Sequence, residues 1–385
     1  MTFLPGKRTA AALGALLLTW SALIAANSAA IATEMEHVRL SDDGKGGKVF
    51  VLADSGKRFI PWGFNYDHDG EGRLLEDYWV DEWDRVEQDF GEMRELGTTV
   101  VRIHLQTGRF LTDADTPNQA ALDRLKMLVA LAEKNGLYLD ITGLGCYHKQ
   151  DVPAWYDALD EKERWQAQAR FWEAVAATCA ESPAVFCYDL MNEPVVPGGG
   201  DKRDDWLGPA FAGKHFVQFI TLELGERERP DVAREWIETL ARAIRRHDRR
   251  HLVTVGMVDW SLDRRGLTSG FVPERVSGDL DFLSVHIYPQ AGKVDEALET
   301  LKGFAAVGKP VVIEETAPLK CSLEEYDRFL TESRERATGW LSFYWGTTME
   351  EYREGKTLHA AIAGKWLEFF VEKRPALMAA DGVER

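Results

Sequence analysis

Eight short apolar runs, separated by amphipathic stretches, constrain the fold of this chain more than any other feature. They fall at 59–65, 99–104, 137–142, 185–191, 252–257, 282–287, 310–314 and 340–345. Val, Ile, Leu and Phe dominate them, and most lack the apolar–polar alternation of a half-exposed strand. Strands buried on both faces read this way, and they belong to parallel sheets covered by helices. The stretches between them have helical spacing. At 83–96, Val86, Phe90, Met93 and Leu96 share one face and Gly97 follows as a C-terminal cap. At 120–134, Leu122, Leu125, Leu128, Val129 and Leu131 do the same before Asn135-Gly136. Further helices are expected at 161–180, 232–246, 294–304, 323–336 and 358–370, with only a turn at 273–276. Eightfold strand–helix alternation is the outline of a (β/α)8 TIM barrel. Ahead of it, 48–59 reads as a short N-terminal β-hairpin turning at Asp54-Ser55-Gly56.

In such a barrel, side chains at the C-terminal ends of the strands converge on one face. Strand 1 delivers Asn65, Tyr66 and Asp67; strand 2 Arg102 and His104; strand 3 Asp140 and Thr142, with Tyr147 and His148 in the loop beyond. Strand 4 ends in Asn192-Glu193-Pro194, strand 5 near Asp259 and Trp260, and strand 6 near His286 and Tyr288. Strand 7 ends in Glu314-Glu315 and strand 8 at Trp345. Two strands ending in carboxylates suggest paired acids at the barrel mouth, which glycosidic-bond cleavage needs. One carboxyl group must hold a proton for the leaving oxygen while the other stays ionised near the anomeric carbon. Glu314 and Glu315 are adjacent, and alternate strand residues face opposite sides, so one of the two is expected to point at a substrate. The long segment 195–230 after strand 4 is expected to shape a cleft on the same face.

On these residues the chain resembles the cellulase-like glycoside hydrolase family 5, a clan A group of retaining glycosidases. The motifs that carry the likeness are Asn192-Glu193-Pro194, Pro310 to Glu315, Arg102, His286 with Tyr288, and Trp345, together extending from 59 to 345. The resemblance implies Glu193 as acid/base and Glu315 as nucleophile of a double displacement. It implies supporting or substrate-binding roles for Arg102, Asn192, His286, Tyr288 and Trp345, and no metal or organic cofactor. It departs at strand 3, where the family has a His two residues past an Asp and this chain has Asp140-Ile141-Thr142; His148 is the expected stand-in. The implied function is cleavage of β-linked glycans, as a cellulase-like β-glucanase or, alternatively, a β-mannanase or exo-β-mannosidase on the same barrel. A non-catalytic carbohydrate-binding barrel is the rival from another class; it predicts loss of one acid, and both are present. A metal-dependent deacetylase would need His and Asp at ligand spacing, which the sequence does not display.

Charge narrows the partners. The formal net charge of −17 argues against nucleic acid and anionic membrane surfaces and is compatible with a neutral substrate; the partner that the resemblance implies is a β-linked polysaccharide or oligosaccharide. Residues 1–32 read as a Sec signal peptide: Lys7 and Arg8, an apolar run over 10–26, then small residues ending at Ala30 or Ala32. The expectation is a secreted or periplasmic protein, without membrane attachment after cleavage, whose residues 33–385 form a single catalytic barrel. The four cysteines, Cys146, Cys179, Cys187 and Cys321, lack C-x-x-C spacing, which argues against zinc or redox chemistry.

Overall fold

The computed structural model describes residues 35–379 apart from 45 and 201, so the expected signal peptide lies outside the described residues. Two strands, β1 (Val38–Asp42) and β2 (Lys48–Leu52), pair antiparallel ahead of the barrel. The barrel strands are β3 (Trp62–Tyr66), β4 (Val100–Gln106), β5 (Tyr138–Gly145) and β6 (Val185–Asn192). After a two-residue pairing of β7 (Pro194–Val195) with β8 (Gln218–Phe219) come β9 (Leu252–Val258), β10 (Leu283–His286), β11 (Val311–Glu315) and β12 (Gly339–Phe343). The order β3-β4-β5-β6-β9-β10-β11-β12 closes on itself, and every neighbouring pair is parallel. This is the expected (β/α)8 barrel.

The hairpin differs from its sequence reading. The turn at 54–56 exists, with Gly56 at φ +68°, but the return segment contributes one isolated bridge, Val51 to Arg58. The partner of β2 lies upstream, in β1, whose Val-Arg-Leu-Ser-Asp sequence is largely exposed and carries little apolar signal. The hairpin delivers Phe50 to the floor of the barrel. There it packs edge-on against Phe186 and Phe282, both at ring-centroid distances of 5.2 Å, and Phe59 meets Phe186 at 5.7 Å. These rings precede or begin their strands, so they close the end opposite the strand C-termini.

Helices cover the barrel where the apolar spacing placed them: Trp83–Glu95, Gln119–Asn135, Glu161–Cys179, Arg229–Arg245, Val294–Ala305, Leu323–Ser333 and Leu358–Met378. Local signals set their ends. Asn118 Oδ1 accepts from Ala120 N, and Gly136 at φ +67° stops the same helix. Asp160 and Glu163 form a reciprocal capping box at the start of Glu161–Cys179. The fifth connection has only the turn Pro273–Val276, as expected. Trp62 of β3 stacks on Phe370 of the last helix, centroids 5.0 Å apart and planes 9° from parallel. Fully burying an aromatic of this size contributes roughly 4–6 kcal/mol by area, an upper bound.

Candidate active site

Arg102, on β4 and without solvent exposure, organises the strand C-termini. Its Nη1 donates to Asn65 Oδ1 at 2.9 Å and to Glu315 Oε1 at 2.7 Å. Its Nη2 donates to Asp189 Oδ2 at 2.7 Å and to Asn192 Oδ1 at 3.0 Å. Asn65 is itself held, donating to the carbonyls of Glu314 and Ser342 at 2.9 Å each. A guanidinium taken wholly from water must be matched in this way, because an unpaired buried charge is strongly destabilising. The space at Gly256 on β9 is tight: a Cβ there would lie 3.0 Å from both Arg102 Nη2 and His286 Nε2, so both would have to shift by a few tenths of an ångström.

Above this layer, Glu193 and Glu315 meet at His286. Imidazole Nδ1 lies 3.1 Å from Glu193 Oε1 and 3.4 Å from Glu315 Oε2. An oxygen of each carboxyl group and a ring nitrogen all fall within 4.8 Å of one another. Both glutamates keep partial access to solvent, 18% and 12% of their side chains, whereas His286 has 1%. Tyr288 Oη donates to Glu315 Oε2 at 2.6 Å. Burial opposes charge on His286, but Glu315 and the hydrogen bonds from Glu193 and Glu314 outweigh it and push the imidazolium up to about 10. Glu193 sits at φ +47°, a backbone region that non-glycine residues rarely adopt. Its N–H donates to the Gly256 carbonyl at 2.9 Å, and Pro194 follows.

Glu314 departs from the simple pleat. In a regular strand it would face away from Glu315, yet it also turns into the barrel and accepts from Ser284 Oγ at 2.9 Å. The register between β10 and β11 explains this: Val285 pairs with Ile313 but His286 pairs with Glu315, so Glu314 is the extra residue of a bulge. The simple pleat therefore does not separate the pair, since both turn into the barrel; they differ in depth, with Glu314 fully buried and Glu315 partly accessible.

The other sequence candidates separate. Asn192 joins the cluster through Arg102 and donates to the Phe216 carbonyl at 3.1 Å. Trp345 lies at the rim, stacked on His359 and tilted against Phe343 and His68, whose Nδ1 is 2.8 Å from Asp67 Oδ2. His148 lines a small crevice with Gln106, Arg109 and Cys146 instead of joining the acids. Its neighbour Tyr147 is the residue that reaches inward, hydrogen-bonded to His104 Nδ1. Thr142, in the place of the family's histidine, donates to Asp189 Oδ2 at 2.7 Å. Sequence reasoning missed Asp189, which carries no signal beyond its place three residues before Asn192. All four cysteines are free thiols.

Among the described residues, two acidic clusters bring potential ligand atoms within 4.8 Å: Glu193, His286 and Glu315, and beneath them Asp140, Asp189 and Glu314. Arg102 and His286 already donate into both, occupying the role a cation would take.

The chain matches the cellulase family, glycosyl hydrolase family 5, over residues 57–348. Among curated proteins it is similar to mannan endo-1,4-beta-mannosidase A of Podospora anserina, 24% identical over 270 residues that cover 62% of this chain and 64% of that one. The protein of the same description from Emericella nidulans is 26% identical over 215 residues, 50% of this chain and 48% of that one. The chain thus spans about half to two thirds of the length of these relatives. Among solved structures, an exo-beta-1,4-mannosidase from Opitutaceae bacterium strain TAV5 superposes with TM-score 0.64 and 19% identity, covering 88% of this chain and 64% of that one. The endo-1,4-beta-mannanase of Rhizomucor miehei gives 0.58 and 18%, covering 88% and 100%. The matched span takes in both glutamates, Arg102, His286 and the closed barrel that carries them, and the chain belongs to the cellulase family, glycosyl hydrolase family 5.

Proposed function

We propose that this protein is a retaining β-glycosidase acting on β-linked, mannose-containing glycans. One observation carries the reading: Glu193 and Glu315, 122 positions apart in the sequence, present oxygens within 4.8 Å of each other at the strand C-termini. Retaining glycosidases set their carboxyl groups about 5–5.5 Å apart, and inverting ones about 6.5–9.5 Å apart to admit a water. Glu315, held by Arg102 and Tyr288, attacks the anomeric carbon, and the bond to the leaving oxygen breaks as Glu193 protonates it. Glu193 then takes a proton from water, which displaces Glu315 from the covalent glycosyl-enzyme. Asn192, oriented by Arg102, is placed to hydrogen-bond a sugar hydroxyl, and Trp345 offers its ring at the rim. These steps use the chain's own acids.

The choice of mannose-containing substrates over the β-glucans first expected rests on the names of the relatives, which are mannan endo-mannosidases. The residue pattern of 1–32 supports a reading of export, and the compact unit that begins at Glu36 supports a reading of one catalytic domain.

The test is proton NMR of the first product released from a β-mannan oligosaccharide and from a β-glucan oligosaccharide, by the wild type and by Glu315→Ala. The β-anomer should appear first, from the mannan substrate, and Glu315→Ala should lose at least about a thousandfold in rate. An initial α-anomer would refute retention. Rates no faster than the uncatalysed reaction in both proteins would favour a barrel that only binds carbohydrate, equal accelerated rates would remove Glu315 from the nucleophile role, and cleavage confined to the glucan would return the substrate to the cellulase type.

A further inference from the structure

Beneath the Glu193–Glu315 pair, three carboxyl groups without solvent access share one small space. Asp140 on β5, Asp189 on β6 and Glu314 on β11 are all fully buried, each offering an oxygen within 4.8 Å of the others. Two of them are well supplied with donors. Asp189 accepts from Gly256 N, Arg102 Nη2 and Thr142 Oγ1, each at 2.7 Å. Glu314 accepts from Ser284 Oγ at 2.9 Å and from His286 Nε2 at 3.3 Å, with Arg102 Nη2 at 3.5 Å. Asp140 differs: among the described residues, neither of its oxygens accepts a hydrogen bond. The groups that face it are the carboxylates of Glu314 and Asp189, the thiol of Cys187, which is a weak donor, and Arg102, whose Nη atoms are engaged by other acceptors and whose Nε, also buried, makes no hydrogen bond to Asp140.

A buried carboxylate without donors beside two others is not a stable arrangement, and like-charged acids in one site resolve it by retaining a proton. Arg102 and His286 bring two positive charges, which Asp189, Glu314 and Glu315 already exceed. We infer that Asp140 is a positioning residue that works as a neutral carboxylic acid, donating its proton to Glu314. That bond keeps Glu314 as the anion that holds His286 Nε2–H, which turns the Nδ1 side of the ring toward Glu193 and Glu315. The electrostatics agree: burial, then Glu314 and Asp189, push the Asp140 carboxyl well above the usual range. Burial opposes charge on Glu314, yet Arg102 and His286 draw it down to about 2.

Infrared spectroscopy on the resting protein decides the protonation, and this part stands apart from the glycosidase reading because nothing is turned over. At about pH 9, the buried carboxyls of Asp189, Asp89 and Glu76, pushed up to about 6, 6 and 7, have released their protons. The carbonyl stretch of a protonated carboxyl group should persist there and vanish in Asp140→Asn. Its absence from the wild type at that pH overturns the inference, whether or not the variant folds. Kinetics test the positioning role. Asp140→Leu, similar in bulk but without a donor, should lower kcat at least about tenfold with little change in KM. It should also move the alkaline limb of the rate profile to lower pH, because Glu314, no longer oriented by that donor, holds His286 Nε2–H less firmly. Asp140→Asn, an uncharged donor, should recover most of that loss and return the pH limits to those of the wild type. If Asp140 were a carboxylate, the Asn variant would instead shift those limits by about a unit or more, which overturns the inference too.

Discussion

Glu193 stands at the residue scale as a case of strain where chemistry is expected. Its φ of +47° costs an ordinary residue about 1–3 kcal/mol, and such geometry persists only where surrounding contacts over-determine it. Here the N–H of Glu193 is held by Gly256, its carbonyl accepts from Gln218 N at 3.3 Å, and its carboxyl meets His286. This turns the side chain across the mouth toward Glu315, where an acid must stand to reach a leaving oxygen. If Glu193 supplies that proton, its loss matters most when the leaving group is a poor one. Glu193→Gln should lower kcat/KM about 10²–10⁴-fold for an unactivated disaccharide. For an aryl glycoside with an acidic phenol, the formation of the glycosyl-enzyme should slow by less than about tenfold. Pre-steady-state release of the phenol measures that step, and equal losses for both substrates would remove Glu193 from the acid role. Glu193, Glu315 and His286 were legible in the sequence because each stands at the end of an apolar run, and Arg102 because the family resemblance singles it out on strand 2. Asp189 and Gly256 were not, because a buried carboxylate or a glycine inside such a run looks like an interruption and its meaning lies in a neighbouring strand.

At the scale of elements, the eight runs announced the barrel because parallel strands buried on both faces leave a continuous apolar signature. The bulge that turns Glu314 inward has no such signature, since it depends on the pairing of β10 with β11. The segment after β6 was legible only as a long loop, and the structure shows how it is anchored. Arg203 lies over the Phe219 ring at 3.6 Å, and Trp165 Nε1 donates to the Ile220 carbonyl at 2.7 Å. Arg164, buried on the helix Glu161–Cys179, is sandwiched between Tyr156 at 3.7 Å and Trp206 of the loop at 4.3 Å. A desolvated cation–π contact contributes about 2 kcal/mol, so losing the one to Trp206 should raise local opening of the loop about thirtyfold. Because Asn192 is tied to this loop at Phe216, opening also disturbs the sugar-facing wall. Arg164→Met should therefore speed proteolytic cleavage in the loop and raise KM for oligosaccharides more than it lowers kcat. Unchanged protease resistance together with an unchanged KM would show that Arg164 does not hold the loop.

Across the whole molecule, buried titratable groups set a direction for stability against pH. Burial is the leading cause that raises Asp189 to about 6, Asp89 to about 6 and Glu76 to about 7, all above the value of about 4 expected in the unfolded chain. The folded state therefore holds more protons than the unfolded state between about pH 4 and 7, and stability falls as pH rises through that window. His286 continues the trend. Its folded value of about 10 exceeds the unfolded value of about 6.5, so its contribution is complete below about pH 6.5 and is lost as pH approaches 10. Asp67 and Asp248 act on the other side. Burial opposes their charge, but their histidine neighbours His68 and His251 depress both, so their contribution disappears as pH falls below about 4. The net charge of −17 reinforces the alkaline decline, since each proton lost adds to self-repulsion. The melting temperature should then peak in the mildly acidic range, near pH 4–6, and decline steadily to pH 10. Calorimetry across that range, in buffers of matched ionic strength, checks it. A melting temperature that rises between pH 6 and 10 would mean that the buried acids and His286 do not hold their protons in the folded state.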